Sequence, residues 1–327
     1  MPTLQPFLLL PEFVERPWGT RDLSLIYPHK TARRGGEFEQ PVGEVWLTGD
    51  MCRVSTGPLA GRMLGEIARE FGRLLVGEAA NAADEFPLLL KFLFPCEKLS
   101  VQVHPDDATA EKQGHRHGKS ECWYVIAAGN GSQVALGLKQ EVLTQGTWRE
   151  EVRAAIQNGR LESLLNWLEL HAGDLVNVPA GTVHSIGPGP VLLEVQQNSD
   201  ITYRLYDYGR PRELHVTQGL AAIKEPCGAG KVERRTQTET YGNRAWLNQA
   251  RHFLVEKFVV KSEAKIEALT EKSVKVLVGL EGCGIIDFPT GGSLTLAKGE
   301  VAVIPAAISG YKIRPQWALE YMSASLP

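Results

Sequence analysis

Short apolar runs separated by glycine- and proline-rich turns extend along most of this chain and strongly limit what it can fold into. With 33 glycines and 19 prolines in 327 residues, the chain has the turn residues that many short strands need. Apolar runs of this length, bounded by turns, are typical of β-strands. The pattern therefore predicts a mainly β fold, a sandwich or a barrel, with strands that include Leu88–Phe94, Ser100–His104, Cys122–Ala127, Leu175–Pro179, Val191–Gln196, Thr202–Tyr206, Val274–Leu280 and Val301–Ile304.

Two segments depart from this pattern, because their apolar residues recur at the three- and four-residue steps of an amphipathic helix. One is Arg62–Leu75. The other starts at Thr147, which with Glu150 has the spacing of a capping box, and its leucines continue to Leu168. We predict peripheral helical inserts at about residues 60–78 and 147–170.

A weak internal repeat indicates two related β modules. The segment Leu170–Ala180 matches Leu296–Ala306 at an offset of 126 residues, and Val125–Gly131 matches Val278–Gly284 at an offset of 153. Similar turn chemistry could also produce such matches. We favour a duplication into two jelly rolls, a cupin-like module at 1–215 that carries both helical inserts and a second one at 216–327.

Charge and cysteine content exclude several classes of partner. The 35 basic and 38 acidic side chains give a net charge of -3, so we expect no nucleic-acid or membrane partner and infer that an anionic ligand needs local cations. Five cysteines without a CxxC pair predict reduced thiols and a cytoplasmic location. No signal peptide or membrane-spanning stretch is evident, because the apolar run Phe7–Leu10 is stopped by Pro11.

Three short motifs bring metal-binding residue types together. In a strand over Ser100–His104, Gln102 and His104 share one face about 7 Å apart. Lys119 and Glu121 also share a face, by the same period of two. The turn Val178-Pro-Ala-Gly-Thr-Val-His184 delivers a second histidine at the start of the next strand.

Two imidazoles, a carboxylate and an amide oxygen suit a borderline ion such as Zn²⁺, which accepts nitrogen and oxygen ligands. Lys119 is a candidate general base, although it could instead bind a substrate oxygen. Arg204 should face the same cavity, and Arg210, Lys98 or Ser100 could hold a phosphate group. A solvent-exposed Arg210 is an equally acceptable interpretation.

These motifs resemble those of the type I mannose-6-phosphate isomerases, a cupin family, in their short bacterial branch. The resemblance rests on Leu99–Asp106, Gly118–Tyr124, Val178–Gly187 and Thr202–Tyr208, and it becomes weak beyond residue 215. It implies one zinc ion per chain, an active-site arginine at Arg204, and zinc ligands at Gln102, His104, Glu121 and His184.

The resemblance also implies an aldose–ketose isomerase that interconverts mannose 6-phosphate and fructose 6-phosphate through an enediolate. The alternatives are a cupin metal oxygenase and a non-catalytic sugar-binding protein with two cupin modules. Trp18, Glu44 and Trp46 match family positions but are more typical of packing. We expect a monomer or a small homo-oligomer with a small sugar phosphate as substrate.

The second module is predicted to be metal-free. The two offsets place Val255, Lys257, Val274 and Gly310 at the positions of the four ligands in the first module. No set of those side chains forms a comparable site.

Overall fold

The computed structural model describes residues 4–28, 38–78, 80, 84–267 and 273–327. The described chain is mainly β, with short α-helices at the periphery. The strands, in chain order, are β1 (Phe7–Leu9), β2 (Glu12–Thr20), β3 (Val42–Trp46), β4 (Leu88–Leu93), β5 (Val101–Val103), β6 (Glu121–Ala127), β7 (Gln133–Leu138), β8 (Leu165–Glu169), β9 (Leu175–Val178), β10 (His184–Ile186), β11 (Val191–Gln197), β12 (Tyr203–Tyr206), β13 (Gly230–Lys231), β14 (Arg235–Glu239), β15 (Gly242–Gln249), β16 (Leu254–Val260), β17 (Ala264–Glu267), β18 (Lys275–Asp287), β19 (Ser293–Ala297), β20 (Val301–Ile304) and β21 (Gly310–Ser325). The α-helices are α1 (Leu64–Phe71), α2 (Arg73–Val76), α3 (Asp107–Lys112), α4 (Gln140–Leu143), α5 (Trp148–Gln157) and α6 (Val216–Ala222).

Two antiparallel sheets form the first jelly roll. One has the order β13-β9-β6-β11-β4-β3-β2, and the other has the order β12-β5-β10-β7-β8. Alternating side chains from both sheets meet in an apolar interior that includes Trp18, Trp123, Val125, Leu136, Val176 and Ile186. Glu121 of β6 lies on the same face as Trp123 and Val125, and Gln102 of β5 lies on the face opposite Val101 and Val103. Because successive strand residues point to opposite faces, both polar residues point into the space between the two sheets.

The second jelly roll repeats this arrangement in one continuous sheet. Its order is β1-β20-β18-β21-β16-β15-β14, with β17 added on β21 and β19 added on β18. The long strands β18 and β21 run through both layers, so each one matches two consecutive strands of the first module. The two-module, mainly β fold predicted from the sequence agrees with this architecture.

The two modules share a core and exchange strands. The outer face of the seven-stranded sheet packs against β15, β16, β18 and β21 through one large cluster that includes Phe92, Leu193, Leu247, Val255 and Met322. The N-terminal strand β1 pairs with β20, whereas β13 pairs with β9. The boundary at residue 215 stays a prediction, because strands from both ends of the chain cross between the modules.

The matched segments of the repeat form the same turn. Gly173 and Gly299 both have positive φ angles, of 90° and 78°. The acidic residue that follows each glycine accepts a hydrogen bond from the backbone N–H three residues before it, at 2.8 Å for Asp174 and 2.9 Å for Glu300. A left-handed glycine and an acidic cap at the same two positions are the physical basis of the sequence match.

The helical inserts differ in part from their prediction. Helices α1 and α2 lie within 60–78, and α5 lies within 147–170. From Leu161 onward the helix prediction is wrong, because a 3₁₀ turn at Leu161–Leu164 leads directly into β8, which pairs with β7. The spacing of the leucines fits an amphipathic helix as well as a 3₁₀ turn followed by a strand, so the sequence pattern does not distinguish them. The Thr147 side chain makes no capping hydrogen bond.

Two further observations bear on the environment of the chain. All five cysteines are free, as the sequence predicts. In the described residues, no helix has the length and apolar character needed to cross a bilayer. The cytoplasmic location stays a prediction.

Candidate metal centre and adjoining cavity

Neighbouring strands of the five-stranded sheet bring three of the predicted site residues together. Gln102 is paired with His184 across β5 and β10, and with Arg204 across β5 and β12. Directly paired residues in an antiparallel ladder lie on the same face of the sheet. The alternation predicted for this strand is therefore present, with Val101 and Val103 buried in the opposite face.

His104, Glu121 and His184 form a buried group whose ligand atoms all lie within 4.8 Å of one another. The Glu121 carboxylate oxygens are 3.5 Å from His104 Nε2 and 3.4 Å from His184 Nε2. Each of the three side chains is about 1% exposed. Within the described ranges, this is the one such group of His, Cys, Asp or Glu side chains.

Both imidazoles are held in the state that a metal ligand needs. His104 Nδ1 lies 2.8 Å from the Ile201 carbonyl and His184 Nδ1 lies 2.9 Å from the Thr182 carbonyl, so each Nδ1–H donates to the backbone. Burial lowers the pKa of His184 to about 4 and that of His104 well below its ordinary value. His104 Nε2 is buried without a hydrogen-bond partner. Two neutral imidazoles thus direct lone pairs toward one carboxylate, a donor set that fits a divalent metal ion.

The side-chain amide of Gln102 lies next to the His104, Glu121 and His184 group, and its nitrogen atom points toward that group. Gln102 Nε2 lies 3.2 Å from His184 Nε2, while Gln102 Oε1 accepts a hydrogen bond of 3.0 Å from the Ser100 hydroxyl. A half-turn of the amide would direct Oε1 at the group, and the Ser100 hydroxyl could then accept from Nε2. The position fits a fourth ligand, and the orientation depends on what occupies the centre.

The turn that delivers His184 requires its glycine. Gly181 has a φ of 91°, and a Cβ there would lie 2.7 Å from the Lys224 side chain. Its N–H donates to the His104 carbonyl at 2.7 Å, and the Thr182 hydroxyl donates to the Pro179 carbonyl at 2.6 Å. The turn therefore ties the strand of one histidine directly to the strand of the other.

A polar cavity of 470 Å³ opens beside the metal-binding group. It is lined by five basic residues and five acidic residues among others, and Gln102 and Glu121 contribute to its wall. A water-accessible space of this size is sufficient for a monosaccharide derivative. The charged residues discussed below that line it are Lys91, Lys119, Arg204, Arg212, Glu44, Glu194 and Asp200.

Lys119 lies deep in this cavity, as its predicted strand face requires. Its ammonium is 3.1 Å from Glu121 Oε2 and 3.8 Å from Glu194 Oε1. Burial favours the neutral amine, but the two carboxylates outweigh it and raise the pKa of Lys119. Burial and the charge of Glu121 raise the pKa of Glu194 to about 7. The neighbours of Lys119 favour its charged form, and its role as a base stays a prediction.

The predicted arginine and lysine residues separate into two groups. Arg204 and Ser100 line the cavity, and Arg204 Nε is buried without a hydrogen-bond partner. Lys98 lies outside the lining and pairs with Glu162. Arg210 also lies outside the lining, where it donates to the Lys98 carbonyl at 2.6 Å and contacts Asp207. Binding of phosphate by these two residues stays a prediction.

Sequence reasoning missed six charged residues of the cavity, three of which are Lys91, Glu194 and Arg212. Lys91 and Glu194 are directly paired across β4 and β11, and each is the single charged residue of a mostly apolar strand. That exception to the strand pattern is a signal that could have identified both, because an ionised side chain is rarely buried without a role. Arg212, the third, binds Asp207 through two hydrogen bonds of 2.6 and 2.7 Å.

The family-matched residues Trp18, Glu44 and Trp46 divide between packing and the cavity. Trp18 is 3% exposed and packs in the sandwich interior, as predicted. Glu44 lines the cavity, where Trp46 Nε1 donates to it at 2.7 Å and the Lys91 ammonium lies 3.7 Å away. Packing alone is therefore an incomplete description of Glu44.

Together, the fold and the site define a class of protein: a jelly-roll protein with a buried His-Glu-His metal-binding group beside a polar cavity rich in cations. The model of the family described as phosphomannose isomerase type I, catalytic domain, matches residues 8–145. Mannose-6-phosphate isomerase ManA of Bacillus subtilis is 36% identical over 238 residues, which cover 68% of this chain and 70% of ManA. The chain belongs to the type I phosphomannose isomerase family.

Solved structures match the fold over nearly the whole chain. A crystal structure of mannose 6-phosphate isomerase from Bacillus subtilis matches with a TM-score of 0.85 and 29% identity, covering 99% of this chain and 100% of that chain. A zinc-bound mannose 6-phosphate isomerase matches with a TM-score of 0.73 and 18% identity, covering 98% and 99%. The second likeness shows the fold alone.

Proposed function

We propose that this chain is a zinc-dependent isomerase that interconverts mannose 6-phosphate and fructose 6-phosphate through an enediolate. The observation that carries the proposal is the buried His104, Glu121 and His184 group, which opens onto a cavity with several cations. The names of the relatives support the substrate, and the zinc in one structural neighbour supports the ion.

The proposed ligands are His104, Glu121 and His184, with the amide oxygen of Gln102 as the fourth, and we propose one zinc ion per chain. The partnerless His104 Nε2 and the two backbone-held Nδ1 atoms support the histidines. Zinc accepts this mixture of nitrogen and oxygen ligands. The Ser100 hydroxyl then serves to hold the rotated Gln102 amide.

The reaction moves a proton between C1 and C2 of the open-chain sugar, and its barrier comes from negative charge that develops on oxygen. When bound, a zinc ion would polarise the C1 and C2 oxygens as a Lewis acid. Arg204 lies beside Gln102 in the ladder and lines the same cavity. We propose that its guanidinium stabilises the developing charge, an interaction that is stronger in the transition state than in the bound substrate.

Lys119 and Glu194 are the candidates for moving the proton. They lie 3.8 Å apart, so one proton can pass between them with little movement. The alternative for Lys119, in which it donates a hydrogen bond to a substrate oxygen, fits the same position. Either role requires that the sugar enter the 470 Å³ cavity with C1 and C2 toward the metal-binding group.

For the phosphate group, the cavity lining favours Arg212 and Ser100 over Arg210 and Lys98. Arg212 faces the cavity, and its pair with Asp207 fixes the direction of the guanidinium. Arg210 donates to the Lys98 carbonyl and contacts the Asp207 carboxylate. We propose that Arg210 orients the loop that follows β12. We also propose that the protein works in the cytoplasm as a monomer or a small homo-oligomer.

A coupled assay on metal-quantified protein tests this function. We expect formation of fructose 6-phosphate from mannose 6-phosphate, loss of activity with zinc after chelation, and recovery on addition of Zn²⁺. Oxygen consumption by the metal-loaded protein, with no isomerisation, would assign the site to an oxygenase instead. Binding of the sugar phosphate without turnover in zinc-loaded protein would indicate a sensor.

A further inference from the structure

The second jelly roll contains its own cavity, which is larger than that of the first. Its volume is 960 Å³, and it is lined mainly by residues of β14, β15, β16 and β21, with Ile266 of β17 and Lys275 of β18. The side chains used below are Arg244, Trp246, Glu256, Lys275, Tyr311, Ser323 and Ser325, all of which line it. A concave space with a few converging polar groups is the usual form of a small-molecule site.

Strand pairing shows that this cavity corresponds to the active-site cavity. Within the first module, Glu121 of β6 pairs with Val178 of β9. In the second, Lys275 of β18 pairs with Ile304 of β20, which the repeat matches to Val178. Strand β17 adds to the first half of β21 as β5 adds to β10, through the pairs Ile266 with Tyr311 and Gln102 with His184.

Three metal-ligand positions are therefore changed in the second cavity. Lys275 takes the position of Glu121. Tyr311 and Ile266 take those of His184 and Gln102, because they are the β21–β17 pair that lines the cavity. This corrects the matches inferred from sequence offsets, which were Val255, Lys257, Val274 and Gly310. The error arises because the first module has helix α3 between β5 and β6, whereas β17 is joined to β18 by a shorter connection, so one offset does not hold across both strands.

Lys275 is a cation in the lining of this cavity. Among the described residues it makes no hydrogen bond or ion pair, although it is largely buried. The hydroxyls of Ser323 and Ser325 line the same cavity, and Ser325 is directly paired with Lys275. A cation and two hydroxyl donors in the lining of one cavity fit an anionic oxygen group.

Both modules contain a tryptophan that is paired across strands with a charged residue, and that residue forms an ion pair. The charged residue is a lysine in the first module and a glutamate in the second. In the first module Trp46 is paired with Lys91, which lies near Glu44. In the second, Trp246 is paired with Glu256, which binds Arg244 at 2.5 Å. The guanidinium of Arg244 lies 4.8 Å from the Trp246 ring centre, and this ring is 37% exposed.

We propose that the second jelly roll binds a phosphorylated sugar without a metal ion, with its phosphate at Lys275 and its ring against Trp246. Phosphate carries nearly two negative charges and accepts several hydrogen bonds, which Lys275, Ser323 and Ser325 can donate. An exposed indole provides an apolar face for the C–H groups of a sugar. Glu256 and Arg244 supply the acceptor and donors that sugar hydroxyls require.

The electrostatics of the cavity support an anion. Burial is the main cause that lowers the pKa of Lys275, with Glu256 raising it and Arg244 lowering it. A buried cation loses hydration, and an anionic ligand offsets this cost most where nearby carboxylates do not already neutralise the charge. In the active-site cavity, by contrast, Lys119 already faces Glu121 and Glu194, and Lys91 faces Asp200.

Calorimetric titration of the zinc-loaded chain with 1,5-anhydromannitol 6-phosphate tests the proposal, because this ring-locked analogue cannot isomerise. We expect two molecules bound per chain, falling to one in Lys275→Met. The matched control Lys312→Met, an exposed lysine on β21, should keep both sites. A single site in the wild-type chain, lost in Arg212→Ala and kept in Lys275→Met, would overturn the proposal and leave the isomerase function intact.

Two further measurements complete the test. One asks whether the second site recognises the sugar or only the phosphate, and the other provides a second variant in case Lys275→Met is destabilised. Inorganic phosphate should bind the second site at least about tenfold more weakly than the sugar phosphate, because it lacks the contact with Trp246; equal affinity would overturn the role of the sugar. If Lys275→Met lowers the thermal midpoint, Trp246→Leu replaces it, since that ring lies at the exposed rim. This variant should weaken the second site about tenfold, and an unchanged affinity contradicts the site.

Discussion

The two jelly rolls of this chain have the same strand order but opposite electrostatic designs. The first gathers two neutral imidazoles around Glu121, while the second places Lys275 and Tyr311 at the corresponding positions. An ammonium cannot donate a lone pair and repels a cation, so replacing the ligand carboxylate with a lysine removes the metal site. The cavity itself survives in the second module, because strand order and pleat determine it independently of the ligands.

This difference teaches that architecture and chemistry are separable within one chain. The acidic turns at Asp174 and Glu300 have the same geometry in both modules, since they close the strands. The residues that point into the cavities differ almost entirely. Function must therefore be argued from the side chains that line each cavity, and the fold alone is insufficient.

The largest effect is expected when the first module is given a residue of the second. His184→Tyr should lose zinc and lower kcat by more than about 10³, because Tyr cannot supply the neutral nitrogen donor. The reciprocal Tyr311→His should gain no zinc, since Lys275 and Ile266 remain. Metal analysis and the coupled assay on both variants provide the measurement. A His184→Tyr protein with full zinc content would break the comparison.

A smaller loss is expected for the charge at Arg204. If this guanidinium stabilises charge that appears only in the transition state, Arg204→Ala should lower kcat by roughly 10²–10³ with zinc content unchanged. Arg204→Lys should recover little, because an ammonium lacks the fork geometry. Steady-state kinetics decide this prediction. A normal kcat in the alanine variant would remove Arg204 from the chemistry.

The fourth ligand position should give an intermediate effect on metal affinity. Gln102→Leu should weaken zinc binding by roughly 10–100-fold, less than a histidine change, because an amide oxygen is a weaker ligand. Gln102→Glu should keep or tighten zinc but lower kcat, since the added charge weakens the Lewis acid. Competition with a chelator measures the affinity. Unchanged zinc affinity in the leucine variant would move Gln102 out of the ligand set.

The smallest effect concerns stability and pH. Although burial opposes it, the charges of Lys91 and Arg16 hold the pKa of Glu44 at about 2, below its ordinary value of 4.5. A depressed pKa stabilises the folded chain above about pH 4.5, and this contribution of up to about 3 kcal/mol is lost as pH falls toward 2.

Glu44→Gln should flatten the dependence of the unfolding free energy on pH in that range. The exposed Glu12→Gln is the matched control and should leave the slope unchanged. Denaturant unfolding at several pH values measures both. Parallel curves for wild type and Glu44→Gln would contradict the assigned ion pair.

Much of the fold was predictable because strand alternation and turn residues are local signals. The same alternation predicted that Gln102 and His104 share one face, and that Lys119 and Glu121 do as well. Leu161–Leu168 was mispredicted because leucine spacing there satisfies a helix and a strand equally. Lys98 is held by Glu162, which is distant in sequence. Arg210 is held by Asp207, three residues before it, through the geometry of a loop. Such contacts are set by tertiary structure, which local patterns do not contain.

The most direct test of the central claim is an activity titration of metal-free protein with Zn²⁺. The account predicts that isomerisation of mannose 6-phosphate rises linearly and reaches its maximum at one zinc per chain, with the ion held in the first jelly roll. Full activity before any zinc is added, or a maximum reached only at two zinc ions per chain, would contradict it.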